Sequence, residues 1–135
     1  MLELNDLYDY ASSRNVKVNG FKLSGCPSLS LCDKDGCYIA MDPFFRLSGA
    51  QERVYLAHEI GHCLTGSFYN EYSKVDDRKR CERRADIFAY RLLIDKSELK
   101  NLMKSGVTSM WELAEYFNVT VPFMSSAVEY YQSVK

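Results

Sequence analysis

Both histidines of this chain lie in one short run, His58-Glu59-Ile60-Gly61-His62. In a helix, residues four apart lie on the same face, so the two imidazoles would point toward one ion. Glu59 is about 100° further round such a helix and does not reach that ion. It can instead contact a water on the metal and act as a general base. The run therefore predicts a helix that binds Zn²⁺ through His58 and His62, with Glu59 as the catalytic residue.

A third ligand must come from elsewhere in the chain. Zinc that takes part in catalysis usually has three protein ligands and a water, and no third histidine exists. The missing ligand is therefore a carboxylate or a thiolate. In a downstream helix-like run, Glu82, Ala85, Asp86 and Ala89 share one face, and the two alanines allow another helix to approach closely. We predict Glu82 as the third metal ligand, and Asp86 as the acceptor for the free N–H of a ligating histidine, His58.

These residues carry a resemblance to a known family. HEIGH is followed, twenty residues after its last histidine, by Glu-x-x-Ala-Asp-x-Phe-Ala at 82–89. This combination resembles the ImmA/IrrE family of zinc metallopeptidases and, more broadly, the gluzincin pattern of two histidines and a glutamate. The resemblance covers roughly residues 38–93. One departure is that the proline that family members often have after the second helix is replaced here by Ile94-Asp95.

The resemblance implies a small zincin-like α+β domain with one Zn²⁺ per chain. It implies a cytoplasmic endopeptidase whose protein substrate is a helix-turn-helix transcriptional repressor of a phage or mobile element. The alternative is a catalytically silent, metal-bound regulator that binds a repressor without cleaving it. The native metal also stays open, because Mn²⁺ or Fe²⁺ suits two histidines and a carboxylate as well.

Two further roles follow from the gluzincin pattern. In such enzymes an edge strand borders the cleft and pairs with extended substrate, and residues 37–41 are the expected strand. Tyr69 and Tyr72 lie in the loop between the two ligand helices. Either could donate a hydrogen bond to a developing oxyanion, or both are ordinary loop tyrosines.

Length and charge limit the other possibilities. With 135 residues, the chain is expected to form a single metallopeptidase domain, with a core over about 1–94 and a helical tail over about 95–135. The formal net charge of −1 gives no overall electrostatic reason for nucleic-acid binding. No apolar run is long enough to predict a membrane span, and the acidic N-terminus does not resemble a signal peptide.

The cysteine pattern favours a reducing compartment. The five cysteines are an odd number without a CxxC pair, which argues against a secreted disulfide framework. Cys63 and Cys81 are each next to a predicted ligand, and we expect both to pack as small apolar groups rather than bind metal. Cys32 and Cys37 could face each other across a hairpin, where a redox role stays open.

The rest of the chain reads as one short hairpin among helices. The periodicity and turn residues predict the following elements: a helix over 2–13, an extended piece over 16–18, a hairpin over 28–41 with its turn at 33–36, a helix over 49–65, a loop over 66–77, a second ligand helix from Asp76, and helices over 96–104, 110–117 and from about 122 to 133.

Two remaining features have a structural and a binding interpretation. Five arginines and lysines fall within 78–84, and we interpret them as a solvated helix face rather than a docking site for DNA or an acidic partner. The last two helices are spaced like a helix-turn-helix, but residues 122–134 lack the basic side chains of a recognition helix. We interpret this pair as packing, or as a surface for a protein partner.

Overall fold

A computed structural model describes residues 2–107 and 109–134 of the chain. Within these ranges the architecture is the predicted α+β arrangement, mostly helical with a small sheet before the histidine helix. Its elements are α1 (Leu4–Ser13), β1 (Val16–Gly20), β2 (Ser28–Asp33), β3 (Gly36–Met41), a short 3-10 helix (Pro43–Phe45), α2 (Gly49–Thr65), α3 (Val75–Leu93), α4 (Lys96–Lys104), α5 (Met110–Phe117) and α6 (Val121–Ser133). No helix in these ranges has both the length and the apolarity needed to cross a bilayer.

The three strands form one sheet in the order β1-β3-β2. β2 and β3 are the predicted antiparallel hairpin, and β1 pairs in parallel with the other side of β3. The expectation that residues 37–41 form the edge strand is therefore wrong, because β3 is the central strand. The sequence does not indicate this pairing. Parallel strands are joined by a long connection, which lacks the turn residues that identify a hairpin. β1 and β2 are the two edge strands; β1 packs against α1, and β2 packs against α2.

The ends of α2 follow from side-chain capping. The Ser48 hydroxyl accepts a hydrogen bond from the backbone N–H of Gln51, and the Gln51 side chain accepts one from the backbone N–H of Ser48. This reciprocal pair satisfies two backbone donors at the start of the helix. The helix ends at Gly66, which adopts a left-handed conformation with φ of 65°. The predicted boundaries of this helix, 49–65, are thus those of the structure.

The C-terminal helices belong to the same hydrophobic core as the N-terminal part. Tyr90 of α3 packs edge-on against Phe123 of α6, with ring centroids 5.2 Å apart. The core contains buried residues from the six α-helices and from β1 and β3: Leu7, Ala11, Val16, Cys37, Ile39, Met41, Leu56, Ala57, Ile60, Ala89, Tyr90, Leu93, Ile94, Leu99, Leu113, Ala114, Phe117, Val119, Met124, Ala127, Val128 and Tyr130. The tail therefore supports α3, the helix that carries the predicted third ligand.

A buried arginine joins three parts of the chain. Arg53 on α2 is 1% exposed. Its guanidinium donates to the backbone carbonyls of Phe117 (3.2 Å) and Asn118 (2.9 Å) at the end of α5, and to the carbonyl of Leu2. A cation at the C-terminal end of a helix is favourable because the free carbonyls there carry negative partial charge. This interaction holds α2 against both the N-terminus and the tail.

The cysteines differ from expectation at one pair. Cys37 on β3 and Cys63 on α2 form a disulfide, with their Cα atoms 5.8 Å apart. Cys63 is therefore not a free thiol that packs as a small apolar group. Cys32 and Cys37 are opposite each other in the hairpin, but only their backbones pair. The two bonded residues are 26 apart in the chain, so only the packing of α2 on the sheet brings them together. Cys81 is buried and not bonded to another cysteine, and its thiol lies 3.6 Å from the backbone carbonyl oxygen of Phe68.

Candidate metal centre

Three side chains converge between α2 and α3. The Nε2 atoms of His58 and His62 are 3.1 Å apart. The two histidines face different carboxylate oxygens of Glu82: Oε2 lies 2.9 Å from Nε2 of His58, and Oε1 lies 3.1 Å from Nε2 of His62. Among the described residues, these three form a cluster whose donor atoms lie close enough together to bind one metal ion.

The separation of the donor atoms fits a tetrahedral ion. Zinc lies about 2.0–2.2 Å from imidazole nitrogen and carboxylate oxygen, so two ligands of one tetrahedral ion are roughly 3.3 Å apart. The observed separations of 2.9 to 3.1 Å are slightly shorter than this. The three side chains would have to move slightly apart to hold the ion. Two nitrogens and one oxygen are also a donor set that zinc accepts in catalytic sites.

The outer nitrogens of both imidazoles are already engaged. Nδ1 of His58 lies 2.8 Å from a carboxylate oxygen of Asp86, and Nδ1 of His62 lies 2.5 Å from the backbone carbonyl of Ser67. An acceptor at Nδ1 keeps the proton there and leaves the Nε2 lone pair free for a metal. Both histidines are therefore oriented with the correct nitrogen facing the cluster.

The charges around His58 also change its protonation. Burial by itself lowers the pKa of His58. The hydrogen bond that Asp86 accepts from His58 and the negative charge of Asp86, together with the charges of Glu59 and Glu82, outweigh this effect and raise the pKa above its ordinary value. Without a metal, the cluster thus favours a proton on His58. A cation would replace that proton.

A close approach of two helices produces this convergence. Gly61 of α2 packs against the backbone of Ala85 in α3, and a Cβ added to Gly61 would lie 2.7 Å from the carbonyl oxygen of Ala85. Ala85 stands between Glu82, one turn earlier, and Asp86, the next residue. The small residues thus bring both carboxylates within reach of the histidines, as the shared face in the sequence predicts.

Glu59 lies beside the cluster in a nearly closed environment. Its side chain is 8% exposed, and one carboxylate oxygen, Oε2, accepts a hydrogen bond from the Ser28 hydroxyl at 2.7 Å. Glu59 also lines a cavity of about 320 Å³ together with His62 and Glu82. The other residues lining this cavity are Cys26, Ser28, Leu29, Ser30, Ser67, Phe68 and Tyr69.

One wall of this cavity is the open edge of β2. The backbone carbonyl of Pro27 accepts from the N–H of Asp42 across the hairpin, at 2.9 Å. Alternate residues of an antiparallel strand bond to the partner strand, so Leu29 bonds to β3. The backbone N–H and C=O groups of Ser28 and Ser30 therefore point away from β3, at the outer edge of β2. An extended peptide could pair with these groups.

The two loop tyrosines have different positions. The Tyr69 hydroxyl donates a hydrogen bond to Glu82 at 2.9 Å, and this bond, more than burial, raises the pKa of Tyr69. Tyr69 therefore stays protonated beside the cluster. Tyr72 is 87% exposed, and its backbone N–H bonds to Asn70. The structure brings Tyr69 to the site but leaves Tyr72 at the surface.

Sequence reasoning missed two residues of this site. Ser28 contacts Glu59 from the sheet, and Ser67 supplies the carbonyl that orients His62. Ser67 directly follows the helix-ending Gly66, so the turn expected there could have indicated it. Ser28 is an ordinary alternating strand serine, and no local signal distinguishes it.

Two histidines and a glutamate that converge on adjacent helices, with a buried carboxylate and an open strand edge beside them, are the arrangement of zincin-like metallopeptidases. The model of the Peptidase M78 family, described as the IrrE N-terminal-like domain, matches residues 46–127. This match covers more than half of the chain, which therefore belongs to that family. The resemblance to ImmA/IrrE proteins is thus confirmed. No curated protein matched the chain.

Proposed function

We propose that this protein is a zinc-dependent endopeptidase. The observation that carries the proposal is the convergence of His58, His62 and Glu82 within 3.1 Å of one another, with the carboxylate of Glu59 facing the same cavity. A purely structural zinc site usually uses four protein ligands and needs no neighbouring base. Three ligands and an adjacent carboxylate suit hydrolysis better.

The proposed mechanism assigns one role to each of these groups. His58, His62 and Glu82 would hold the metal, which when bound would supply a Lewis acid for the hydrolysis. Glu59 takes a proton from the attacking water and later delivers it to the leaving amine. The Tyr69 hydroxyl is a candidate donor to the oxyanion, because it stands beside Glu82 and remains protonated.

The proposed substrate is an extended segment of a protein. The outward backbone groups of Ser28 and Ser30 would pair with the peptide and align it along the cavity, so specificity would come partly from main-chain hydrogen bonds. By resemblance to ImmA/IrrE proteins, the substrate is a helix-turn-helix transcriptional repressor of a phage or mobile element. A repressor substrate would be cleaved in the cytoplasm. The Cys37–Cys63 disulfide does not support this location, because disulfides are uncommon in the cytoplasm.

Cleavage of a candidate repressor tests this proposal. The protein is loaded with Zn²⁺ and incubated with the repressor, and products are identified by mass spectrometry. We expect cleavage by the wild type, and a loss of at least about 100-fold with Glu59→Gln, because removal of a general base typically costs about 10² to 10⁴ in rate. Metal analysis must find equal zinc in both proteins.

The opposite result identifies the alternative. If wild type and Glu59→Gln bind the repressor with the same affinity and neither cuts it, the protein is a metal-bound regulator without peptidase activity. Cleavage that persists in Glu59→Gln would show that another residue is the base. Loading with Mn²⁺ or Fe²⁺ in parallel identifies the metal that supports the highest rate.

A further inference from the structure

A buried hydrogen bond links the sheet to the proposed catalytic base. The Ser28 hydroxyl and the Oε2 atom of Glu59 are 2.7 Å apart, and both residues are buried, at 9% and 8% exposure. Ser28 lies outside residues 46–127, the segment that matches the family model. Neither that match nor the sequence pattern assigns it a role.

Ser28 is held rigidly in this position. It is the first residue of β2, and its backbone is opposite Met41 of the central strand. The residue before it, Pro27, is bonded through its carbonyl to the N–H of Asp42. Asp42 is itself 5% exposed, and its carboxylate accepts from the N–H groups of Leu23 and Phe44, each at 2.8 Å. The start of the strand is therefore attached to Asp42, which is itself held by two hydrogen bonds.

The bond restricts the orientation of the Glu59 carboxylate. A carboxylate that accepts a hydrogen bond at one oxygen cannot rotate freely about its terminal torsion, which is otherwise broad. Because Oε2 is engaged by Ser28, Oε1 is the oxygen left for a water. An O–H donor to a carboxylate is also among the stronger hydrogen bonds of proteins, and is worth more in a buried site than at the surface.

We propose that Ser28 is a positioning residue that holds Glu59 in the orientation needed to act as a base. This inference rests on the proposed peptidase function. The same residue presents its backbone N–H and C=O at the open edge of β2, where the substrate would pair. One strand therefore aligns the peptide through its backbone and the base through its side chain, so both are fixed relative to each other before reaction.

The test compares three variants of the zinc-loaded protein. Ser28→Ala removes the hydroxyl, and Ser28→Thr restores it on a β-branched side chain that suits a strand. Ser30→Ala is a matched contrast, since Ser30 lines the same cavity two residues further along the strand. Among the described residues, the hydroxyl that hydrogen-bonds to Glu59 is that of Ser28. Zinc content and thermal unfolding are measured for each, so that a folding defect is recognised.

Kinetics and structure give two separate readouts. With fluorescently labelled, unfolded casein as the probe, we expect Ser28→Ala to lower kcat by about 10- to 100-fold with little change in KM, because displaced catalytic groups cost rates of that order. Ser28→Thr should recover kcat to within about 3-fold of the wild type. Ser30→Ala keeps the Ser28–Glu59 hydrogen bond and alters the lining of the substrate cavity, so it should change KM more than kcat. In crystal structures, the Glu59 carboxylate should rotate in Ser28→Ala and keep its wild-type orientation in Ser28→Thr.

The outcomes separate this inference from the proposed function. Wild-type kcat and an unmoved Glu59 in Ser28→Ala, with Glu59→Gln inactive, would overturn the role of Ser28 and leave the peptidase intact. If the wild type cuts neither casein nor a repressor, the peptidase proposal fails. The rotation of Glu59 in Ser28→Ala then still decides whether Ser28 positions it.

Discussion

The close contact between Gly61 and Ala85 should control metal binding. In Gly61→Ala, the new Cβ would lie 2.7 Å from the carbonyl oxygen of Ala85 and 3.0 Å from its Cα, where ordinary contacts begin at 3.4 Å. Both are backbone atoms, so no side-chain rotation relieves the overlap. The two helices must separate locally by about 0.7 Å, the difference between 3.4 and 2.7 Å.

The expected cost has two opposing parts. Overpacking of a tight contact destabilises proteins by about 1–3 kcal/mol, whereas alanine in place of glycine stabilises a helix interior by about 1 kcal/mol. The free energy of unfolding should therefore fall by roughly 0–2 kcal/mol, a modest change. The effect on the metal should be larger, because Glu82 and Asp86 flank Ala85 and move with it. We expect zinc affinity to fall by at least about 10-fold, as for other losses of ligand support.

A matched control lies in the same helix. A Cβ added to Gly49, the first residue of α2, meets no atom within 4 Å, so Gly49→Ala should bind zinc like the wild type. Zinc affinity is measured by competition with a chromophoric chelator, and stability by urea unfolding of the metal-free proteins. The reasoning is refuted if Gly61→Ala binds zinc as tightly as Gly49→Ala. That result would mean that the contact does not set the position of the third ligand.

Three further predictions follow from the same contacts. Glu82→Ala should lose most of the bound zinc, whereas Asp86→Ala should weaken zinc binding by about 10- to 100-fold, and metal analysis of both purified variants checks this. The surroundings of His58 raise its pKa in the folded, metal-free protein. Protonation of His58 therefore stabilises the fold fully below about pH 6.5, the pKa in the unfolded chain. This contribution to stability is lost as the pH rises through the pKa in the folded protein. Asp86→Asn should therefore destabilise the metal-free protein more at pH 5.5 than at pH 9 in urea unfolding, and an equal effect at both pH values would contradict it. Arg53→Met should lower the free energy of unfolding by about 3 kcal/mol or more, since the carbonyls at the end of α5 lose a charged donor; an unchanged urea midpoint would show that water replaces the guanidinium.

Local patterns were sufficient for the helices and for most of the site. The capping residues and Gly66 predicted both ends of α2, and the i, i+4 spacing predicted that His58 and His62 face the same point. The face shared by Glu82 and Asp86 predicted that both approach the histidines. These are short-range properties of a helix, so a single sequence contains them.

Long-range pairing was decided only by the tertiary structure. The parallel pairing of β1 with β3 made β3 the central strand, with β2 at one edge, and the packing of α2 on the sheet joined Cys37 to Cys63. The same packing brought Ser28 to Glu59, across 31 residues of chain. The residues of the candidate metal centre could thus be predicted from their spacing along two helices. The groups around the centre depend on which distant segments pack against each other. Such long-range packing produces no periodic pattern in the sequence.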